Sequence, residues 1–167
     1  MTDKNLENVG KMFFELKTAI LNNEDVRKLL YYDSSDALSR TAPSIDDVSG
    51  YVFNAPIMES GIEDFNRNTY IMIDLPSVDM DFEDGNHTLL PPFMVTAITN
   101  YAHWELDNNK LRLIELCDRI IKQVDNIKFS MSAKSYVLTM ERVIISKQLY
   151  GYTLKIWNED NVTKEDF

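Results

Sequence analysis

The sequence predicts an α+β fold in a single domain over residues 1–167, a mainly antiparallel or mixed sheet flanked by two to three helices. Three observations carry this expectation. Apolar residues recur at helical spacing over residues 5–21 and again over Leu111–Val124. The run Thr69–Leu75 alternates apolar and other residues with period two. Phe93–Leu106 and Tyr150–Trp157 are longer extended patterns rich in β-branched and aromatic residues. A chain of 167 residues is long enough to bury a real core.

In the first helix Leu6, Val9, Met12, Phe13, Leu16, Ala19 and Ile20 fall on one face. Asn22 or Asn23 then caps a second, short helix, whose first turn carries Glu24 and Asp25 at the positive end of the helix dipole. Val26, Leu29 and Leu30 are its apolar stripe, Tyr31-Tyr32 closes it, and Asp33-Ser34-Ser35-Asp36 breaks it. Residues 33–67 hold Pro43, Gly50, Pro56 and Gly61 without a sustained period, and are expected to be a long irregular loop. Within it Val52-Phe53 and Pro56-Ile57-Met58 suit short extended pieces. Tyr51, Phe53, Ile57 and Met58 are apolar residues that either meet a neighbouring subunit or form a lid over their own core.

Thr69–Leu75 places Ile71, Ile73 and Leu75 on one face, and Pro76 ends the strand. Phe93–Leu106 reads as one long strand with apolar residues on both faces, hence a central strand covered on both sides by helices or by neighbouring subunits. Asp107-Asn108-Asn109 is expected to cap the next helix. That helix would bury Leu113, Ile114, Leu116, Cys117, Ile120, Ile121 and Val124, and turn Glu115, Asp118, Arg119 and Lys122 to solvent. Ile127–Met131 and Tyr136–Met140 suit short strands or an irregular crossover. Val143-Ile144-Ile145 and Tyr150–Trp157 suit the last extended segments around a bend at Lys147-Gln148, with Tyr150, Tyr152, Leu154 and Ile156 on one face. The polar residues 158–167 are expected to fray.

Hydrophobic residues make up 44% of the chain and charged residues 26%, which excludes disorder of the whole chain. The formal net charge of -10 opposes binding to a phosphate backbone, where affinity comes from lysine and arginine. The single cysteine, Cys117, forbids an intramolecular disulfide and reads as a buried structural thiol. The N-terminus has no apolar core of a signal peptide, and no run approaches a membrane span, so a reducing cytoplasm or a particle assembled in one is expected.

Catalytic signatures are lacking. The five glycines are not spaced as a phosphate-binding loop, and there is no Gly-x-Ser-x-Gly elbow. His87 and His103 are isolated, and His103 reads as a hydrogen-bonded structural residue within a strand. The acidic run Asp79-Met80-Asp81-Phe82-Glu83-Asp84-Gly85-Asn86 approaches a calcium loop. It fails at position six, which is Asp84 rather than glycine, and at position twelve, which is Leu90. Asp84-Gly85-Asn86 reads instead as the tip of a hairpin. The residues therefore give no catalytic, cofactor or metal site, and no enzyme.

The order of elements resembles the tail-terminator and tail-completion proteins (the neck, or head-tail joining, proteins) of long-tailed bacteriophages. The likeness is carried by Asn22–Tyr32, by the strand into His103-Trp104-Glu105-Leu106-Asp107, by the helix after Leu111 and by Tyr150-Gly151-Tyr152. The acidic segment 77–86 with Pro91-Pro92 departs from the family pattern. The resemblance implies a non-enzymatic virion protein at the neck/tail junction, assembled in the bacterial host cytoplasm. Such a protein forms a ring, commonly a hexamer, on the head-proximal end of the tail tube. It ends tube growth and meets the tail tube protein on one face and neck or connector proteins on the other. On that reading Asp79, Asp81, Glu83 and Asp84 are candidate channel-lining acids past which genome DNA moves without specific binding. Tyr51, Phe53, Ile57, Met58, Tyr150, Tyr152 and Trp157 are candidate subunit or partner contacts. A head-completion or connector subunit of the neck, and a small acidic adaptor that binds a basic partner, stand as alternatives.

Overall fold

The computed structural model describes residues 3–54, 69–75, 93–125, 127, 129 and 132–160. Helix α1, Asp3–Asn22, buries Met12, Phe13, Leu16, Ile20 and Leu21. It gives way at once to α2, Glu24–Tyr31, because the Asn23 side chain accepts from the Val26 amide at 3.1 Å and so serves the new helix's unpaired donors. Arg27 fastens the joint by donating to the carbonyls of Leu21, Asn22 and Pro43. Val26, Leu29 and Leu30 are fully buried, and Tyr32 ends the helix with its amide on the Lys28 carbonyl.

The described part of the expected irregular stretch, residues 33–54, is built of short ordered pieces. A 3-10 turn spans Ala37–Ser39. Helix α3, Ile45–Val48, starts at a capping box in which Ser44 and Asp47 exchange side-chain and backbone hydrogen bonds. A second 3-10 turn, Ser49–Tyr51, leads into strand β1, Val52–Phe53. Elements this short are invisible to a search for hydrophobic period, which is why the segment read as irregular. Ile57 and Met58 lie outside the described residues, as do Asp79, Asp81, Glu83 and Asp84, the proposed hairpin tip and His87.

Among the described residues the main sheet has five strands, β1, β2 (Tyr70–Asp74), β3 (Phe93–Asn100), β6 (Ser132–Ile144) and β7 (Leu149–Asp160), in the order β1-β2-β3-β7-β6. Strand β2 runs parallel to β1 and antiparallel to β3. The last two strands, β6 and β7, form a long antiparallel hairpin, and β7 pairs with β3. The sheet is therefore mixed, with one parallel pair, and the fold is α+β.

One face carries Ile71, Ile73, Phe93, Val95, Ala97, Leu154 and Ile156, which pack with α1, α2 and α4 (Arg112–Val124) into the main core. Cys117 lies in this core, and burial pushes its thiol pKa up to about 12. The opposite face carries a smaller cluster of Tyr70, Ile98 and Leu149, and beside it the buried hydroxyl pair Thr96–Thr153 at 2.9 Å. β3 is accordingly a central strand buried on both faces.

Five expectations are corrected. β3 stops at Asn100 rather than running to Leu106, because the Asn100 side chain accepts from the Ala102 amide and folds Tyr101–His103 into a 3-10 turn. His103 thus lies in a turn and not in a strand. Asp107–Asn109 does not cap α4. It turns a small hairpin of β4 (Glu105–Leu106) and β5 (Lys110–Leu111), with Asn108 and Asn109 at φ 62° and 58°, the left-handed region asparagine tolerates. The segment Tyr136–Met140 belongs to one 13-residue strand, interrupted by a bulge between Val137 and Thr139. Residues 158–160 are paired rather than frayed, and Asn158 is buried with its side-chain oxygen accepting from Ser135 Oγ at 2.7 Å. In α4, Ile114 is exposed rather than buried.

Candidate partner-binding surface

Arg112, at the start of α4, has a side chain with no exposed surface. It donates only to main-chain carbonyls: Nε to His103 at 2.7 Å, Nη1 to Leu29 at 2.9 Å and Tyr32 at 2.7 Å, and Nη2 to Ser34 at 2.8 Å. Two of these belong to the C-terminal turn of α2, where orphaned carbonyls concentrate negative partial charge. Burial lowers the Arg112 pKa from its usual value, and Asp33 nearby pulls it back up. One guanidinium thus joins three segments: the end of α2, the chain at 32–34 and the turn at 101–104. Two further bonds complete the joint, Asp107 N to the Ser35 carbonyl at 2.9 Å and Arg112 N to the Trp104 carbonyl at 2.9 Å.

A cleft of about 430 Å³ opens above this joint, lined by Asp33, Ser35, Tyr101, Ala102, Trp104 and Glu105. Burial raises the Asp33 carboxyl pKa, while His103 and Arg112 draw it partway back. Tyr101 is 69% exposed. Its amide donates to the Gln148 carbonyl at 2.8 Å, which brings the bend between β6 and β7 against the cleft. Tyr150 follows that bend. Its ring lies 6.0 Å from Tyr101 and 6.3 Å, edge-on, from Trp104, and the Arg142 guanidinium sits 5.7 Å from its centroid. Ile144, the cross-strand partner of Tyr150, is 62% exposed. Tyrosine, tryptophan and arginine are the residues that dominate binding energy at protein interfaces, and here they are contiguous.

Strand β6 is an edge of the sheet among the described residues, and Leu138, Met140 and Ile144 on it are exposed. The bulge puts Leu138 out of register with β7. A second, shallower cleft of about 450 Å³ is lined by Phe14, Glu15, Thr18, Ala19, Asn22 and Ile127, with Phe14 standing 64% exposed at its rim. Ile127 follows the C-terminal end of α4 and Arg112 begins it. The two clefts therefore lie toward opposite ends of α4, a 13-residue helix about 20 Å long at the helical rise.

The sequence-derived contact residues do not form one surface. Tyr150 joins the aromatic patch. Tyr152, on the same face, is half-buried against the main core. Trp157 is exposed, but strand alternation puts it on the other face. Tyr51 and Phe53 are half-buried and pack on Tyr70 of their own chain, with ring centroids at 5.9 and 5.8 Å. Arg112, Tyr101 and Phe14 are not among the contact residues derived from the sequence, where Tyr101 reads as one face of the Phe93–Leu106 strand. The available signal was a lone arginine in the first turn of an amphipathic helix, against the dipole, where a basic residue needs a special partner. Among the described residues no three histidine, cysteine or carboxylate side chains come together as a metal site requires, and no helix is long and apolar enough to cross a membrane. No family model matches the chain, and no curated protein matches its sequence.

Proposed function

We propose that this chain is a structural virion subunit that forms a ring, of about six copies by the family resemblance, at the head-proximal end of a phage tail tube. There it ends tube growth and joins the tail to the neck. One observation supports this reading above the rest: two clefts with exposed aromatic rims at opposite ends of α4, on a body whose edge strand β6 also exposes apolar side chains. A ring subunit between two different neighbours needs that plan, with lateral contacts that are heterologous and two axial faces that differ. Exposed Leu138, Met140 and Ile144 suit the lateral contact. The clefts suit the axial ones. The net charge of -10 suits a channel through which DNA passes without adhering.

Electron microscopy of lysates in which an early stop codon interrupts this reading frame tests the proposal. Filled heads beside separate tails of irregular length are expected. Detached tails of correct length would reduce the role to joining, as for a connector subunit. Intact, infectious particles would refute a virion role and favour an acidic adaptor.

A further inference from the structure

We propose that the cleft between Asp33 and Glu105 receives an arginine side chain from a basic partner protein. The walls have the two features that recognise a guanidinium, carboxylates and aromatic faces. Asp33 and Glu105 supply the charge, and Tyr101 and Trp104 supply flat π-surfaces, onto which a planar cation stacks better than an ammonium does. The same aromatic group already holds one guanidinium of its own chain, with Arg142 over Tyr150. Arg112 gives its hydrogen bonds to main-chain carbonyls and acts on Asp33 by charge–charge attraction, leaving the aromatic faces of the cleft without a stacked guanidinium from it. Burial disfavours the Asp33 carboxylate and His103 and Arg112 already offset part of that cost, so an incoming guanidinium adds to their effect at Asp33 and meets an exposed carboxylate at Glu105. Tyr101 keeps 69% of its surface exposed, and the cleft of about 430 Å³ is large enough for an arginine side chain.

Charge selects the class of partner. With 27 acidic against 17 basic residues, a second copy of this chain is electrostatically a poor occupant, and a basic protein a good one. The inference rests on reading this surface as an interface. It does not rest on the tail-tube assignment, so the stop-codon experiment and the one below can fail separately.

The test is an NMR titration of the full-length chain with N-acetyl-argininamide, using the isosteric but uncharged citrulline analogue as control. Saturable shifts at the amides of Ala102 and Glu105 and at the Trp104 indole are expected with the arginine probe and not with citrulline. Glu105→Gln and Tyr101→Ser, both at exposed positions and so expected to fold, should each weaken binding by about three- to fivefold. Equal shifts from the citrulline analogue, shifts confined to other parts of the chain, or binding indifferent to both substitutions would overturn the proposal. So would self-association that the arginine probe reverses, since the occupant would then be a second copy.

Discussion

Replacing Arg112 by methionine keeps most of the side-chain volume and removes every donor. Four main-chain carbonyls, on His103, Leu29, Tyr32 and Ser34, then lose a partner placed 2.7 to 2.9 Å away. Hydrogen bonds from a charged donor contribute about 1.5–3 kcal/mol each, which gives a gross loss of about 6–12 kcal/mol. Against this, the variant no longer has to bury a charge, which is worth several kcal/mol, so the net destabilisation expected is about 3–5 kcal/mol. At about 2.1 cal/mol/K of unfolding entropy per residue, a chain of 167 residues loses roughly 11 °C in Tm for 4 kcal/mol. Arg112→Lys should fall between, at about 2 kcal/mol, because one compact ammonium cannot span carbonyls that three separate nitrogens now reach. Urea denaturation followed by circular dichroism measures both variants. A methionine variant within about 1 kcal/mol of the parent would refute the reasoning, since it would mean the carbonyls find other partners or the buried charge costs as much as it returns. Loss of native Tyr101 and Trp104 chemical shifts, with α1 and β7 intact, would show that the cleft depends on this joint.

Gly151→Ala should destabilise by about 1–3 kcal/mol in the same denaturation assay, because a Cβ there would stand 2.6 Å from the Ala97 carbonyl oxygen across the β3–β7 ladder; no change would mean the ladder yields freely. Asp33 has a folded-state pKa above its unfolded 3.8, so the stability it contributes is full below pH 3.8 and is lost as pH rises through the folded value; relative to Asp33→Asn, the parent should be favoured at acid pH and lose that advantage by neutrality, and a pH-independent difference would contradict this. The carboxylates of Asp36, Asp47 and Asp118, held below 3.8 first by hydrogen bonds from Ser34, Ser44 and Lys122 respectively, act in the opposite sense, and denaturation midpoints should fall as pH drops through that region. Cys117 should react with a disulfide reagent only at the rate of unfolding, as its burial and raised pKa require; rapid labelling of the native chain would place it outside the core.

The contrast between α4 and the turn before it shows where sequence reasoning reaches. Leu113, Leu116, Cys117, Ile120 and Val124 repeat at the spacing of a helix face, and any tertiary arrangement with one core must bury that face. The same holds for α1, α2 and the alternating Ile71 and Ile73 of β2. Local pattern fixes these elements because the period is a property of the chain itself. Tyr101–Lys110 has no such period. Its path depends on the Asn100 side chain, on two asparagines in left-handed backbone and on bonds to Gln148 and Ser35, which lie 47 and 72 positions away along the chain.

The composition determined by itself that the chain can bury a core, that it is acidic, and that its one cysteine cannot form an internal disulfide. Periodicity determined the α+β class and the principal helices and strands. Tertiary structure alone decided that Arg112 is buried and that Tyr101, Trp104 and Tyr150 meet. The physical reason is range. Helix and strand patterns act over a few residues, whereas a cleft is made by side chains that only the packing of α2, α4 and the β6–β7 bend brings within hydrogen-bonding distance.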